Sequence, residues 1–469
     1  MNTKKILSFA VGPLLNALIS LAILPLLTWV YTPEVIGRLA MLNVAASLVI
    51  LVFSLGLDQA FVREYHESKN RESLFKLVFL PGGLLLLFTL AILLIFDTSV
   101  LSRFVIGLKG NDLSYYIAIY IFCIFSIRFF ALILRMTERG IAFSISQALP
   151  KFLILLGIAC IVIYDKKGTG IELLFQLYSA SIVITLSLLI WVTRKHGVYS
   201  FKNSIEWNKL RELLNFGLPL VFGGAAFWGL TAMDKVFLRN LSSFEELGLY
   251  SVAVSFAGAA IIVQSVFSTI WAPTVYKWAS ENENLDKIEK ITDLMLGIVV
   301  FIFCMAGLFS WLVMYILPEE YKQVPYLLVT CMVYPLLYTL SECTAVGIGI
   351  MKRTRLAMFA VLIALLVNLL GNYYLVPILG ASGAATSTAI SFFILLVLRT
   401  ELSILVWRPI KRMKIYIFSF CYGGCAILFS LFGEYFDGLF IVVWYILMVI
   451  FIYAWRKYIF LRCVTLTLL

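Results

Sequence analysis

Segments of about twenty predominantly apolar residues recur from Ile6 almost to the C-terminus, each long enough to cross a hydrocarbon core of roughly 30 Å. In lipid a backbone must satisfy its own polar groups, so such segments fold as helices. Composition agrees: 62% of the 469 residues are hydrophobic and 13% charged, against about a quarter charged in a soluble domain. The chain reads as an all-α polytopic membrane protein with no stretch left for a sizeable soluble domain. Lys4 and Lys5 ahead of the first apolar run suggest a secretory signal, but that run is too long and lacks a small-x-small cleavage site, so it is a retained helix. The eight cysteines show no CxxC or CxxH spacing and read as small apolar packers, and no metal or other cofactor is expected.

The apolar runs parse into fourteen helices, at 6–30, 36–57, 77–96, 113–134, 148–164, 171–193, 216–238, 248–272, 293–317, 325–350, 356–378, 381–398, 413–432 and 438–455. Lys and Arg orient them, because these residues concentrate in cytoplasmic loops. With both termini cytoplasmic, inner segments hold 28 of the 37 basic residues, Arg63, Lys69, Arg135, Arg139, Lys151, Lys202, Arg399, Lys457 and Arg462 among them. Outer loops hold seven, and Arg128 and Lys235 are left within helices. The net charge of +11 is thereby a matter of topology and calls for no nucleic-acid partner.

The longest hydrophilic stretch, RKHGVYSFKNSIEWNKLRELLN (194–215), follows the sixth helix, where a connector between two halves belongs. Glu34 and Glu245, Gly37 and Gly248, and Tyr65 and Tyr276 match at one offset of 211 residues, and Pro13 answers Pro219 at a nearby one. Six helices per repeat is an even number, so the repeats are parallel about an axis along the membrane normal. The expected organisation is a six-helix lobe over 1–193, a cytoplasmic linker over 194–215, a second six-helix lobe over 216–398, and two extra helices with a tail over 399–469. Two such bundles around a V-shaped central cavity make an alternating-access transporter.

The stretches LPLLTWVYTPEVIGRLAMLN (24–43), FSLGLDQAFVREY (53–65), NFGLPLVFGGAAFWGLTAMDKVFLRN (215–240), GLYSVAVSFAG (248–258) and NYYLVPILGASGAATSTAISFF (372–393) resemble the Wzx-type flippases of O-antigen and other polysaccharides. These are polysaccharide biosynthesis proteins of the multidrug/oligosaccharidyl-lipid/polysaccharide exporter superfamily. The resemblance runs from about residue 10 to 400; fourteen helices depart from the twelve commonest among such flippases. It implies a non-enzymatic carrier in a bacterial cytoplasmic (inner) membrane that moves a polyprenyl-diphosphate-linked oligosaccharide between leaflets. A polysaccharide polymerase and chain-length machinery are the implied downstream partners.

Such a cargo needs cations for its diphosphate and polar or aromatic surface for its sugars, and ionisable groups within spans are candidates by default. Arg128, with Arg135 and Arg139 towards the cytoplasmic end, falls on one helical face by steps of seven and four, a stripe of guanidinium forks suited to phosphate oxygens. The competing reading is snorkelling to inner head groups, which fits Arg135 and Arg139 better than the deeper Arg128. Glu342, roughly 15 Å from Lys352 along the tenth helix, is a proton- or cation-coupling candidate or, equally, a protonated acid hydrogen-bonded across helices.

Asp234 and Lys235, in the last turn or so of the seventh helix, point about 100° apart and cannot pair face to face. The resemblance suggests a role in an outward-facing cavity; an interfacial pair within reach of water is the alternative. Asp58, at the end of the second helix beside Arg63, is either a gating pair or a solvated helix-end charge. Trp228 is a candidate for stacking on sugar, with core packing explaining it equally well; Trp29, Trp191, Trp271, Trp311 and Trp407 lie near span ends and read as an interfacial belt. His66 and His196, the two histidines, are given no role.

The rival transport reading is a multidrug and toxin cation antiporter of the same superfamily, which demands a cavity dominated by acids. A polymerase or ligase typically needs a large outer loop bearing its working residues, and the outer loops here are under about 20 residues, with no catalytic constellation.

Overall fold

A computed structural model describes residues 3–68, 71–164, 170–197, 206–281 and 286–456. Lys69, Lys202, Lys457, Arg462, Cys463 and the middle of the connector, 198–205, lie outside the described residues, as do the side chains of Lys4, Lys5, Pro13, Lys195 and His196. No strand occurs among the described residues. The chain divides into two compact units, residues 1–235 and 236–469.

The first unit holds α1 (Thr3–Val30), α2 (Pro33–Phe53), α3 (Leu57–Glu64), α4 (Arg71–Phe96), α5 (Val100–Ile106), α6 (Asn111–Met136), α7 (Gly140–Tyr164), α8 (Ile171–Gly197) and most of α9 (Trp207–Leu241). The second holds α10 (Phe244–Ser280), α11 (Asp286–Phe309), α12 (Val324–Cys331), α13 (Val333–Thr344), α14 (Val346–Ile350), α15 (Thr354–Val406), α16 (Met413–Phe432) and α17 (Asp437–Ala454). Eleven helical stretches among the described residues are long and apolar enough to span a membrane, and Leu18–Val30 and Gly438–Ala454 are shorter apolar helices.

In the first unit α1 packs along α7, and α6 along α8. Phe61, Phe75, Phe79, Phe125, Phe129 and Phe130 meet edge-on, tilted or stacked beneath α3, centroids 5.1 to 6.1 Å apart. Phe88, Ile95 and Phe96 stay exposed, as lipid-facing residues do.

Three departures from the sequence expectation matter for function. The second helix ends at Phe53, not 57: Leu55 (φ 52°) and Gly56 (φ 68°) take left-handed conformations and the chain restarts as α3. A Cβ on Gly56 would lie 2.1 Å from the carbonyl oxygen of Gly217, so this break is also where α9 passes in backbone contact. The fifth helix begins at Gly140, eight residues before the expected start at 148, because Pro150 sits inside it rather than opening it. The tenth is three pieces, α12 to α14, interrupted at Met332 and Ala345, where Ser403 Oγ accepts the Gly347 N–H at 3.1 Å.

The expected division between 378 and 381 falls inside α15, which reverses there. Gly380 alone departs from helical geometry (φ 53°), and the Ser387 hydroxyl donates to the Asn368 carbonyl at 2.9 Å, as does Asn368 Nδ2 to Thr388 Oγ1 at 3.2 Å. In a straight helix residues twenty apart are about 30 Å apart, so the arms fold back antiparallel with a single residue for a turn.

The tryptophan belt is only partly as expected. Trp29 (66% exposed) and Trp191 (64%) face outward, but Trp271 is 4% exposed and donates its indole N–H to the Glu342 carbonyl at 3.1 Å. It is core, because α10 runs on two more turns to Ser280 and carries position 271 inside the bundle.

Candidate functional site

Each unit places ionisable side chains inside apolar helices. In the first, Arg128 sits seventeen residues into α6 and reaches the first turn of α3, where Nη2 and Nε donate to Asp58 Oδ2 at 2.9 and 3.3 Å. Both donors converge on one carboxylate oxygen, so the outer edge of the guanidinium fork stays available. The Arg128 side chain is 50% exposed against 9% for Asp58. The buried partner holds the arginine while leaving its charge accessible, the arrangement expected of an anion receptor.

That corrects the expected pairing: Asp58 faces Arg128 across α3 and α6, whereas Arg63 lies over the Phe216 ring at 4.4 Å and 3.7 Å from Glu64. Asp58 and Arg63 both sit on α3 five residues apart, about 140° around the helix, so they point to different sides. Arg135 is exposed in the last turn of α6 on the Arg128 face; Arg139 is not part of that stripe, because the helix stops at Met136 and Glu138 (φ 58°) turns the chain away.

Lys151 was missed as a site residue. With α7 starting at Gly140, it lies about 16 Å along the helix axis, mid-span rather than in an inner loop. Its ammonium donates to the hydroxyl of Ser20 on α1, and Asn16 Oδ1, one turn earlier, is buried with no hydrogen-bond partner among the described residues. A cation in lipid with only a hydroxyl partner is costly unless function retains it. The sequence signal was present: GIAFSISQALP continues apolar periodicity back through Pro150.

Trp228 is half-buried and donates its indole N–H to Ser47 Oγ at 2.9 Å; one turn away on α2, Asn43 Oδ1 accepts from the Tyr120 hydroxyl at 3.0 Å. Asp234 and Lys235 lie almost two turns from the end of α9, deeper than expected because the helix runs to Leu241. Asp234 is 2% exposed and Lys235 half-buried, so the neighbours do face different surroundings, and each engages other groups.

In the second unit, Glu342 near the end of α13 accepts a hydrogen bond from Ser268 of α10, while Arg399 of α15 donates to the adjacent Ser341 hydroxyl at 2.9 Å and lies 5.3 Å over the Tyr338 ring. Arg399 was assigned to an inner loop; α15 continues to Val406 and carries it within the helix, with its Nε buried and unpartnered among the described residues. Thr344 and Thr400 bridge the same helices at 2.6 Å. No group of three His, Cys, Asp or Glu that could hold a metal occurs among the described residues.

The family model for polysaccharide biosynthesis proteins matches residues 3–278. A probable low-salt glycan biosynthesis flippase of Haloferax volcanii, Agl15, is 25% identical over 246 residues, 50% of this chain and 50% of the relative; the chain thus spans about half the length of the curated relative it matches. Among solved structures, the lipid II flippase MurJ in an inward closed conformation superposes with a TM-score of 0.69 at 13% identity, covering 98% of this chain and 100% of that one. An outward-facing multidrug resistance MATE family transporter superposes at 0.57 with 14% identity, covering 88% and 96%. The two structural likenesses establish a fold shared with MurJ and MATE transporters. With more than half its length matched by the family model, the chain belongs to the polysaccharide biosynthesis protein family.

Proposed function

We propose that this protein is a flippase that carries a polyprenyl-diphosphate-linked oligosaccharide, an O-antigen or similar surface-polysaccharide repeat unit, across a bacterial cytoplasmic membrane by alternating access. The observation that carries the reading is Arg128, a guanidinium held half-exposed within an apolar span by a buried aspartate. Lys151 adds a second cation in the same unit and Arg399 one in the other. A diphosphate needs such charges, whereas an organic cation would be repelled by them. The family match and the glycan-related relative point the same way, and to transport rather than catalysis. Glu342, tied to Ser268, is the candidate for coupling to an ion gradient, and Asp234 with Lys235 for gating. A polymerase with chain-length machinery would consume the delivered head group.

The test is the location of lipid-linked oligosaccharide after gene deletion, read by digestion with a membrane-impermeant, glycan-directed enzyme from the outer face. Protection in the deletion strain, reversed by restoring the gene, is the expected result. Equal digestion in both strains would sink the reading.

A further inference from the structure

A polar cleft of about 470 Å³ lies wholly within the second unit, at the end where α15 reverses. Its wall combines Glu246 from the first turn of α10, Gln323 and Tyr326 at the start of α12, Ser382 just past the reversal, and Glu434 and Tyr435 after α16. None of these residues belongs to the charged cluster around Glu342. Tyr326 and Glu342 are sixteen residues apart, about 24 Å at helical rise.

The cleft is built rather than incidental. Glu246 Oε2 accepts the Ala381 N–H at 2.7 Å, which pins the reversal and aims the carboxylate at the cleft. Gly380 permits this, because a Cβ there would lie 2.4 Å from that oxygen. Tyr326 packs edge-on against Phe429 at 5.3 Å, so its ring is fixed, and Ser382 Oγ donates to the Ser430 carbonyl at 3.0 Å. Glu434 pairs with Lys322 at 2.9 Å at the rim. Gln323, half-buried, makes no side-chain hydrogen bond to another described residue, and Tyr435 is 78% exposed.

What such a wall takes follows from its donors and acceptors. Two carboxylates repel a phosphate, and a lipid chain gains nothing from hydroxyls and amides. A resident metal is disfavoured by the donor set, which offers only two carboxylates. Carboxylate oxygens, a carboxamide and tyrosine hydroxyls match vicinal hydroxyl groups, and tyrosine faces cover the apolar faces of sugar rings. The volume is within the range of small-molecule sites. We propose that this cleft is a carbohydrate subsite that holds neutral or amino-sugar residues of the transported glycan, apart from the cations that meet its diphosphate. The choice of glycan as occupant rests on the flippase reading; the cleft's preference for a polyol over an anion rests on its own geometry.

Hydroxyl-radical footprinting of the purified full chain in lipid nanodiscs tests it, read at Tyr435 by mass spectrometry. The probe is free oligosaccharide released by mild acid from the host's lipid-linked pool. Glycan should lower Tyr435 oxidation about threefold or more, as burial of most of a ligand's surface implies, and leave the exposed Tyr453, about 24 Å along α17 from its start, unchanged. Glu246→Gln should abolish the protection but endangers the α15 reversal, so Gln323→Trp, which fills the cleft and touches no tie of the fold, is the second variant and should abolish it too. Undiminished oxidation with glycan, protection that persists in Gln323→Trp, or equal protection by calcium chloride alone would overturn the subsite. A protein that delivers its glycan in cells yet shows no footprint loses only the subsite; a footprint in a protein that fails the digestion assay loses only the flippase reading.

Discussion

Arg128 and Lys151 are both cations in apolar helices, but their neighbours differ, and so do the consequences of removing them. Arg128→Ala strands the Asp58 carboxylate, which destabilises, and also removes the proposed phosphate contact, so a single variant mixes two effects. The double variant Arg128→Ala/Asp58→Ala separates them: thermal stability should recover while delivery of the glycan to the outer face stays depressed by about tenfold or more, the worth of a charge-assisted hydrogen bond. Recovery of both would make Arg128 merely a counter-ion. Lys151→Met strands no acid among the described residues and should lower delivery without lowering stability, with Lys151→Arg retaining part of the activity; normal delivery by Lys151→Met would remove it from the site. Depth was the hard quantity to read at this scale. Arg128 was legible as an intramembrane cation because no boundary lies near it. Lys151 and Arg399 were not, because Pro150 resembled a helix start and the run after 398 resembled a loop, and each error of one or two turns moved a charge from membrane to water.

The elements are fixed by a few close approaches that a residue alphabet shows poorly. Gly56 and Gly217 sit backbone to backbone, the first at φ 68°. Gly56→Ala should cost roughly 1–2 kcal/mol for the left-handed conformation and about 1–3 kcal/mol for overpacking, and Gly217→Ala the overpacking alone. Thermal melting by size-exclusion retention checks the ranking, with Gly56→Ala the less stable. A milder case is the α4–α5 connection, where Asp97 accepts from the Ser99 N–H and hydroxyl at 2.8 Å and from Arg103 at 2.7 Å. The Ser99 backbone bond foremost holds its carboxyl below the usual carboxylate range. A depressed carboxyl stabilises above its unfolded value and loses that contribution as pH falls through the folded one. Hydrogen exchange at Ser99 and Val100, corrected for intrinsic rates, should therefore rise in acid, and Asp97→Asn should flatten the dependence; an unchanged profile in the variant would exclude Asp97 as its source. Broken helices were the part of the architecture that periodicity could not supply. Residues 325–350 are apolar but for Glu342 and a few hydroxyls, with no polar run to mark a boundary, and only packing, as of Ser403 against Gly347, shows where the segment divides.

At the scale of the molecule, hydropathy alone was enough for class, a many-span helical chain, whereas the likeness in fold to MurJ and MATE transporters comes from superposition. Each unit has an intramembrane pair joining two of its helices, Asp58 to Arg128 in the first and Ser268 to Glu342 in the second. The pairs are not chemically equal. The first unit has an ion pair where the second has a hydroxyl–carboxyl contact, in keeping with the proposed anion receptor in the first and the proposed ion coupling in the second. Glu342→Gln should leave glycan delivery running but insensitive to collapse of the proton or sodium gradient; full retention of gradient dependence would remove Glu342 from coupling. The reversal of α15 bears on how its arms can move. With one non-helical residue between them there is no slack, so neither arm can shift in the bilayer without carrying the other. The carboxylate that caps the turn comes from 135 residues earlier in the chain, so any displacement of α10 is passed to the hairpin at that point.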